Sequence, residues 1–178
     1  MNSYRVGIAG FGAIGQAVAQ SLDAGLPGLT LAAVAVRDPK APPAFAWTQA
    51  APTFTTIDAL HEHCDVVVEC APAAVFRNIA EPVLRSGKKM VVLSSGALLR
   101  HDDLIELARQ HHGQILVPSG AILGLDAITA AAEGVIHSVT MITRKPVRGL
   151  LGAPYLTDNN IDIADITEPR LIFRGSPR

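Results

Sequence analysis

The chain has 178 residues, 49% of them hydrophobic, which is enough for one good-sized core or for one domain and part of a second. Its 15 Lys and Arg nearly balance its 16 Asp and Glu, so the net charge of -1 offers no positive footprint for nucleic acid or an anionic membrane surface. Two cysteines, Cys64 and Cys70, are too few for a disulfide framework, the start lacks a signal-peptide pattern, and no apolar run reaches the roughly 18 to 20 residues that span a bilayer, so a soluble cytoplasmic protein is expected.

Apolar strand-like runs alternate with helical periodicity from the start, which predicts a parallel sheet covered on both faces. "YRVGIAG" (4–10) is read as the first strand. A helix follows, with Ile14, Val18 and Leu22 spaced by four and Ala17 and Ser21 beside them, and Gly25 and Pro27 stop it. "TLAAVAVRD" (30–38) is apolar almost throughout, as expected of a strand buried on both faces inside the sheet. The proline-rich stretch 38–53 is read as an irregular connection with at most a short helix around 46–50. A short helix at 57–63 leads to "DVVVECA", the third strand. Next come a helix with Val75, Ile79 and Val83 on one stripe, the strand "KKMVVLSS", a helix opened by Asp102 and Asp103, and the strand "QILVPSG".

The character changes near Ser119. "LGLDAITAAAEGV" predicts a small-residue helix, and "IHSVTMITRKP" a long alternating strand of the antiparallel kind. A Gly/Pro loop, a short helix around 161–166 and the strand "RLIFRG" complete the expectation. The fold class expected is α/β, a doubly wound parallel sheet over residues 1–120, followed by a partial α+β second domain over 121–178 serving catalysis and oligomerisation. The alternating strand from Val135 could pair across subunits, so a homo-oligomer is expected.

The stretch "GIAGFGAIGQAVAQSL" carries Gly10-x-Gly12-x-x-Gly15 between the first strand and the first helix. In that context Gly10 permits the tight turn, Gly12 lets backbone approach a pyrophosphate, and Gly15 lets the helix pack on the strand, while the helix N-terminus offers free N–H groups to phosphate. These are the features of a Rossmann dinucleotide site, against the plainer alternative of a glycine-rich turn with no ligand. The second strand ends in Arg37 and Asp38. An acidic group there holds the ribose hydroxyls of NAD, whereas Arg37 can meet the 2′-phosphate of NADP or stack on adenine, so NAD or NADP is expected with a slight lean to NADP. Arg37 could equally be a solvated strand-end side chain. Ala71 and Pro72 are placed to border the nicotinamide ribose, and Ser119 to Ala121 to approach the ring, although small residues also cap turns for structural reasons alone.

Taken in order, "GIAGFGAIG", "ECAPAAV", "VVLSSGAL", "PSGAILGLDAI" and "VTMITRKP" resemble the L-aspartate dehydrogenase family across essentially the whole chain. The resemblance implies reversible NAD(P)-dependent oxidative deamination of L-aspartate to iminoaspartate, which becomes oxaloacetate plus ammonia or feeds NAD biosynthesis. It also implies that Gly10, Gly12, Ala13, Ile14 and Gly15 form the pyrophosphate turn and that Ala121 contacts the cofactor beside the nicotinamide. The family's Asn-rich segment and catalytic histidine lie farther along than Arg178, so the chain resembles about the first two thirds of a member and no catalytic residue is assigned. Two rivals are a shortened member that binds dinucleotide without catalysis, and another reductase of the same plan, such as a dihydrodipicolinate reductase or homoserine dehydrogenase relative.

Histidine suits proton transfer near neutral pH, but His61, His63, His101, His111 and His112 sit at helix ends, where solvation or capping is the plainer role, and His137 reads as structural. No metal site is expected: His61-x-His63 splays its rings around a helix, and Cys70 reads as a small buried strand residue. Arg144 and Lys145 could face a dicarboxylate, since a planar guanidinium pairs carboxylates bidentately, though a solvated strand end is the simpler role.

Overall fold

In the computed structural model, which describes residues 3–120 and 124–176, six parallel strands form one sheet in the order β3-β2-β1-β4-β5-β6. The strands are β1 (Tyr4–Ala9), β2 (Leu29–Ala35), β3 (Thr53–Thr55), β4 (Val66–Glu69), β5 (Lys89–Val92) and β6 (Gln114–Leu116). The helices of this part are α1 (Ala13–Asp23), α2 (Phe76–Arg85), α3 (Ser95–Leu98) and α4 (Asp103–Gln110). The strand order reverses between β1 and β4, the doubly wound arrangement in which a crevice opens outside the carboxyl ends of those two strands.

Each sheet face has its own core. On one, Ala19 and Leu22 of α1 pack with Val6, Ile8 and Val34, and a rim of aromatic side chains extends the cluster. On the other, Phe76, Ile79, Val83 and Leu84 of α2 and Leu104 of α4 meet Val67, Met90 and Val92. Burying a side chain of this size is worth about 1.5–3 kcal/mol, so the central strands, apolar on both faces, gain from both layers. The register sets the rim: Ala9 lies beside both Ala35 and Glu69, Glu69 beside Val92, and Ala35 beside Thr55. The connections after β1 to β5 therefore all leave the sheet at one level.

Several local expectations are adjusted. The buried stripe of α1 is Gly15, Ala19 and Leu22, while Ile14 is 58% exposed and Val18 half-buried, because close glycine packing against β1 rotates the helix. Residues 46–50 form no helix; instead Asp23 at the end of α1 accepts the Thr48 N–H (2.7 Å), the Thr48 hydroxyl (2.8 Å) and the Gln49 N–H (3.1 Å), fastening that loop to the helix. These bonds, led by the Thr48 amide, hold the Asp23 carboxyl below the usual range. The short strand β3 and the single turn α3 carry no periodic signal and are additions to the expected elements.

The chain divides into two compact units, Met1–Leu125 and Asp126–Arg178. In the second, the helix α5 (Leu125–Ala131) leads in, Pro154 opens α6 (Pro154–Asp158), Leu156 and Ile163 are buried, and Tyr155 meets Phe173 edge-on at 5.3 Å. The helix expected around 161–166 is displaced to α6, where Pro154 suits the first turn and Asn160, at φ +51°, closes the end. The strands expected at 136–146 and 170–175 are not formed among the described residues, since neither finds a neighbour to satisfy its backbone and two lone strands make no stable sheet. Val139, Met141 and Ile142 of that alternating stretch are exposed, as is His137.

At the amino end of the sheet Asp65 accepts hydrogen bonds from the Arg5 backbone N–H (3.0 Å), Nε (3.2 Å) and Nη2 (2.8 Å). The Arg5 guanidinium, foremost, and the backbone bond hold the Asp65 carboxyl at about 2. That lies below the unfolded value of about 3.9, so the stabilisation is complete above about pH 4 and is lost as the pH falls through about 2. Urea titrations across that range are expected to show a shallower loss of stability for Asp65→Asn than for the parent; equal slopes would assign the acid sensitivity elsewhere.

Candidate functional site

The turn between β1 and α1 is built from three glycines under different constraints. Gly10 has φ +97°, and a Cβ there would lie 2.8 Å from the Cys70 carbonyl oxygen and 3.0 Å from Cα of Ala71. Its N–H donates to the Ala35 carbonyl at 3.1 Å, which ties the turn to the end of β2. At Gly15 a Cβ would run into the Gly10 carbonyl oxygen, a backbone atom with no room to yield. Packing alone therefore demands glycine at both positions.

Gly12 is different. Its backbone, at φ -80° and ψ -165°, suits any residue, and a Cβ would meet nothing within 4 Å. The chain's own packing does not call for glycine there. Open space at the head of a helix fits a ligand that approaches the backbone more closely than a side chain would allow.

Gly12 caps α1, and the first amide accepted inside the helix is that of Gln16, whose N–H meets the Gly12 carbonyl at 2.9 Å. The amides of Ala13, Ile14 and Gly15 lie in the first turn, where no intrahelical acceptor exists. The first turn contains no acidic residue, so no side chain offsets the partial positive charge of the helix end. Ala13 and Ile14 are exposed. A diphosphate fits this cradle by charge and by donor count.

The other expected residues of the first unit that are described follow the ends of β2, β4 and β6. Arg37 is exposed beyond β2 and, among the described residues, makes no hydrogen bond or ion pair. The neighbouring Asp38 carboxylate accepts the Lys40 N–H at 3.0 Å. Ala71, half-buried, follows β4 and backs onto Gly10, and Pro72 beyond it is exposed. Ser119 and Gly120 are exposed after β6, and Ala121 lies outside the described residues. Arg144 and Lys145 are exposed in the second unit.

Four of the histidines lie toward the amino ends of the strands, while His101 stands at the head of α4 on the carboxyl-end side. His61 and His63 precede β4, His111 and His112 precede β6, and His101 stacks on Phe76 at 6.2 Å. Burial pushes the thiols of Cys64 and Cys70 up to about 11, which leaves both as inert thiols at neutral pH. No group of three or more metal-ligating side chains gathers among the described residues.

Two features of the rim escaped the sequence reading. Glu69, with no exposed surface, closes β4 and accepts the N–H groups of Leu93 (3.2 Å) and Ser94 (2.8 Å) and the Ser94 hydroxyl (3.0 Å). Its only mark in the sequence is one charge at the end of a valine run. Phe11, between the first two glycines, stacks on Trp47 at 6.0 Å and meets Phe45 edge-on at 5.4 Å, so the loop fastened by Asp23 also braces the glycine turn. Scattered aromatic residues in a proline-rich connection give no periodic signal.

Residues 10–118 match the family model described as homoserine dehydrogenase, NAD binding domain, and residues 126–178 match that described as aspartate dehydrogenase, C-terminal. The chain is 52% identical over 175 residues to an L-aspartate dehydrogenase of Bradyrhizobium diazoefficiens, covering 98% of this chain and 62% of the relative. It is 51% identical to L-aspartate dehydrogenase 3 of Bordetella bronchiseptica, covering 97% of this chain and 64% of the relative. The chain belongs to the L-aspartate dehydrogenase family. It spans less than two thirds of the length of these relatives. The aspartate dehydrogenase of Thermotoga maritima shares the fold, with TM-score 0.53 and 19% identity over 74% of this chain and 52% of that one. So does the scyllo-inositol dehydrogenase of Lactobacillus casei, with TM-score 0.54 and 16% identity over 74% of this chain and 41% of that one.

The contrast between the glycines yields a direct test. Gly12→Ala is expected to cost no more than about 1 kcal/mol in stability, the loss of a modest helix cap, yet to weaken dinucleotide binding by at least about tenfold. Gly15→Ala is expected to cost about 1–3 kcal/mol in stability through overpacking as well as binding. Thermal melts beside NADH titrations measure both, and Gly12→Ala binding NADH like the parent would contradict the open-cradle assignment.

Proposed function

We propose that the chain is the dinucleotide-binding part and the beginning of the second domain of an L-aspartate dehydrogenase, using NAD or NADP. The observation that carries this reading is the cradle at Gly12, open where the protein's own packing needs no glycine, in a chain whose two parts match an NAD-binding domain and an aspartate dehydrogenase C-terminal region in order. The relatives' names favour the dehydrogenase over a binder without catalysis.

In this reading Gly10, Gly12, Ala13, Ile14 and Gly15 hold the pyrophosphate, through the backbone and the helix end rather than through side-chain charge. Arg37, exposed beyond the end of β2 and without a hydrogen bond or ion pair among the described residues, suits the 2′-phosphate of NADP or stacking on adenine, while the acidic Asp38 beside it suits the ribose hydroxyls of NAD, with a slight lean to NADP. Ala71 and Pro72 border the nicotinamide ribose, and the family resemblance implies Ala121 as a cofactor contact. A bound nicotinamide would supply a hydride acceptor: loss of the hydride from the amino-bearing carbon of L-aspartate and of one proton from its ammonium group to solvent would give iminoaspartate, and water would convert that to oxaloacetate and ammonia. What this chain contributes is orientation: it binds the dinucleotide across the crevice so that one ring face meets the substrate. The boundary between the domains falls near residue 120, and the protein acts in the cytoplasm as a homo-oligomer.

Trp47 is the single tryptophan of the chain and stacks on Phe11 in the glycine turn, so it reports on this site. Reduced dinucleotide is expected to quench its emission with energy transfer to the nicotinamide. L-aspartate is then expected to drive reduction of NAD and of NADP, followed by the absorbance of the reduced ring. Saturable quenching without any aspartate-dependent reduction would favour the inactive binder, and absence of both would remove the dinucleotide reading.

A further inference from the structure

Glu69 is a buried charge without an ion-pair partner among the described residues. A carboxylate taken out of water is costly unless its oxygens are well supplied with donors. Here Oε2 accepts the Leu93 and Ser94 amides, and Oε1 accepts the Ser94 hydroxyl. Three donors from two consecutive residues of one turn thus converge on this single buried side chain.

Glu69 lies beside Ala9 in the sheet register, and the next residues, Cys70 and Ala71, form the wall against which Gly10 has no room for a Cβ. On its other side Glu69 pairs with Val92, and its carboxylate reaches the turn that leaves β5. The end of β4 thus joins the glycine turn to the β5–α3 turn. In a doubly wound sheet the dinucleotide lies across the switch point, with its adenosine half over the end of β2, which leaves its other half to the β4 and β5 side. There Leu93, Ser95 and Gly96 are exposed, and a Cβ on Gly96 would meet nothing within 4 Å.

We propose that Glu69 is a positioning residue for the nicotinamide half of the dinucleotide: by holding the Leu93 and Ser94 amides it sets the turn after β5 as the ring-side wall of the crevice. The proposal rests on the dinucleotide-binding reading above and adds a residue and a half-site to it. The carboxylate touches no cofactor atom itself; it acts through the backbone it holds.

The test compares affinity for NADH with affinity for ADP, which carries the adenosine and phosphates but no nicotinamide, in the full chain. Glu69→Ala is expected to weaken NADH binding about tenfold, as loss of a charged hydrogen-bond acceptor does, while ADP binding stays within about twofold. Glu69→Gln is expected to restore most of the NADH affinity, because an amide oxygen can accept both backbone amides while the Ser94 hydroxyl turns to accept from the amide nitrogen. Ser94→Ala, which removes only the hydroxyl donor, should shift the NADH-to-ADP ratio in the same direction by about threefold, and it decides the matter if Glu69→Ala fails to fold. Equal losses for NADH and ADP, or an unchanged ratio in Ser94→Ala and Glu69→Ala alike, would overturn the proposal. A parent chain that binds neither ligand would instead overturn the dinucleotide reading on which it stands.

Discussion

The close approach of α1 to β1 at Gly15 is the contact on which the rest depends. With the Gly10 carbonyl oxygen against the place where a Cβ of residue 15 would stand, the helix begins directly over the strand end and aims its first-turn amides across the sheet rim. That placement also rotates the helix, so Ala19 and Leu22 enter the core while Ile14 is left exposed at the rim. Core packing and the open head of α1 are two results of one short contact.

The rim gains its rigidity from polar groups at its two flanks. Asp23 holds Thr48 and Gln49, and Trp47 beside them braces Phe11, so the glycine turn is supported from the α1 face. Glu69 supports the β4 and β5 side through backbone amides. Both are carboxylates placed where donors are plentiful, and this explains how an apolar sheet keeps acidic groups with little or no exposure. A fold that is to hold two ends of an extended ligand gains from fixing both turns to one rim.

The parallel sheet was legible because its strands are valine- and alanine-rich and its helices keep a clear apolar stripe, as at Ile79 and Val83. The glycine turn was legible because Gly10 and Gly15 answer to local geometry, with only Gly12 left to speak for a ligand. Glu69 was not, since a lone charge in a short strand has no period and its role rests on residues 24 and 25 positions away. The expected strands at 136–146 and 170–175 fail for the opposite reason: alternation reports a preference for one buried face, whereas a strand exists only when a neighbour takes up its hydrogen bonds. In α1 the period was right but the phase was off, because the glycine contact and not the largest apolar side chain decides which face turns inward.

The central claim is that the backbone at the head of α1 receives the phosphates of a dinucleotide. Amide-resolved NMR of the chain during an NADH titration tests it most directly. The account predicts that the largest shifts fall on the amides of Gly12, Ala13, Ile14 and Gly15, with smaller ones at Ala71 and Ser94; saturable shifts confined to other parts of the chain would contradict it.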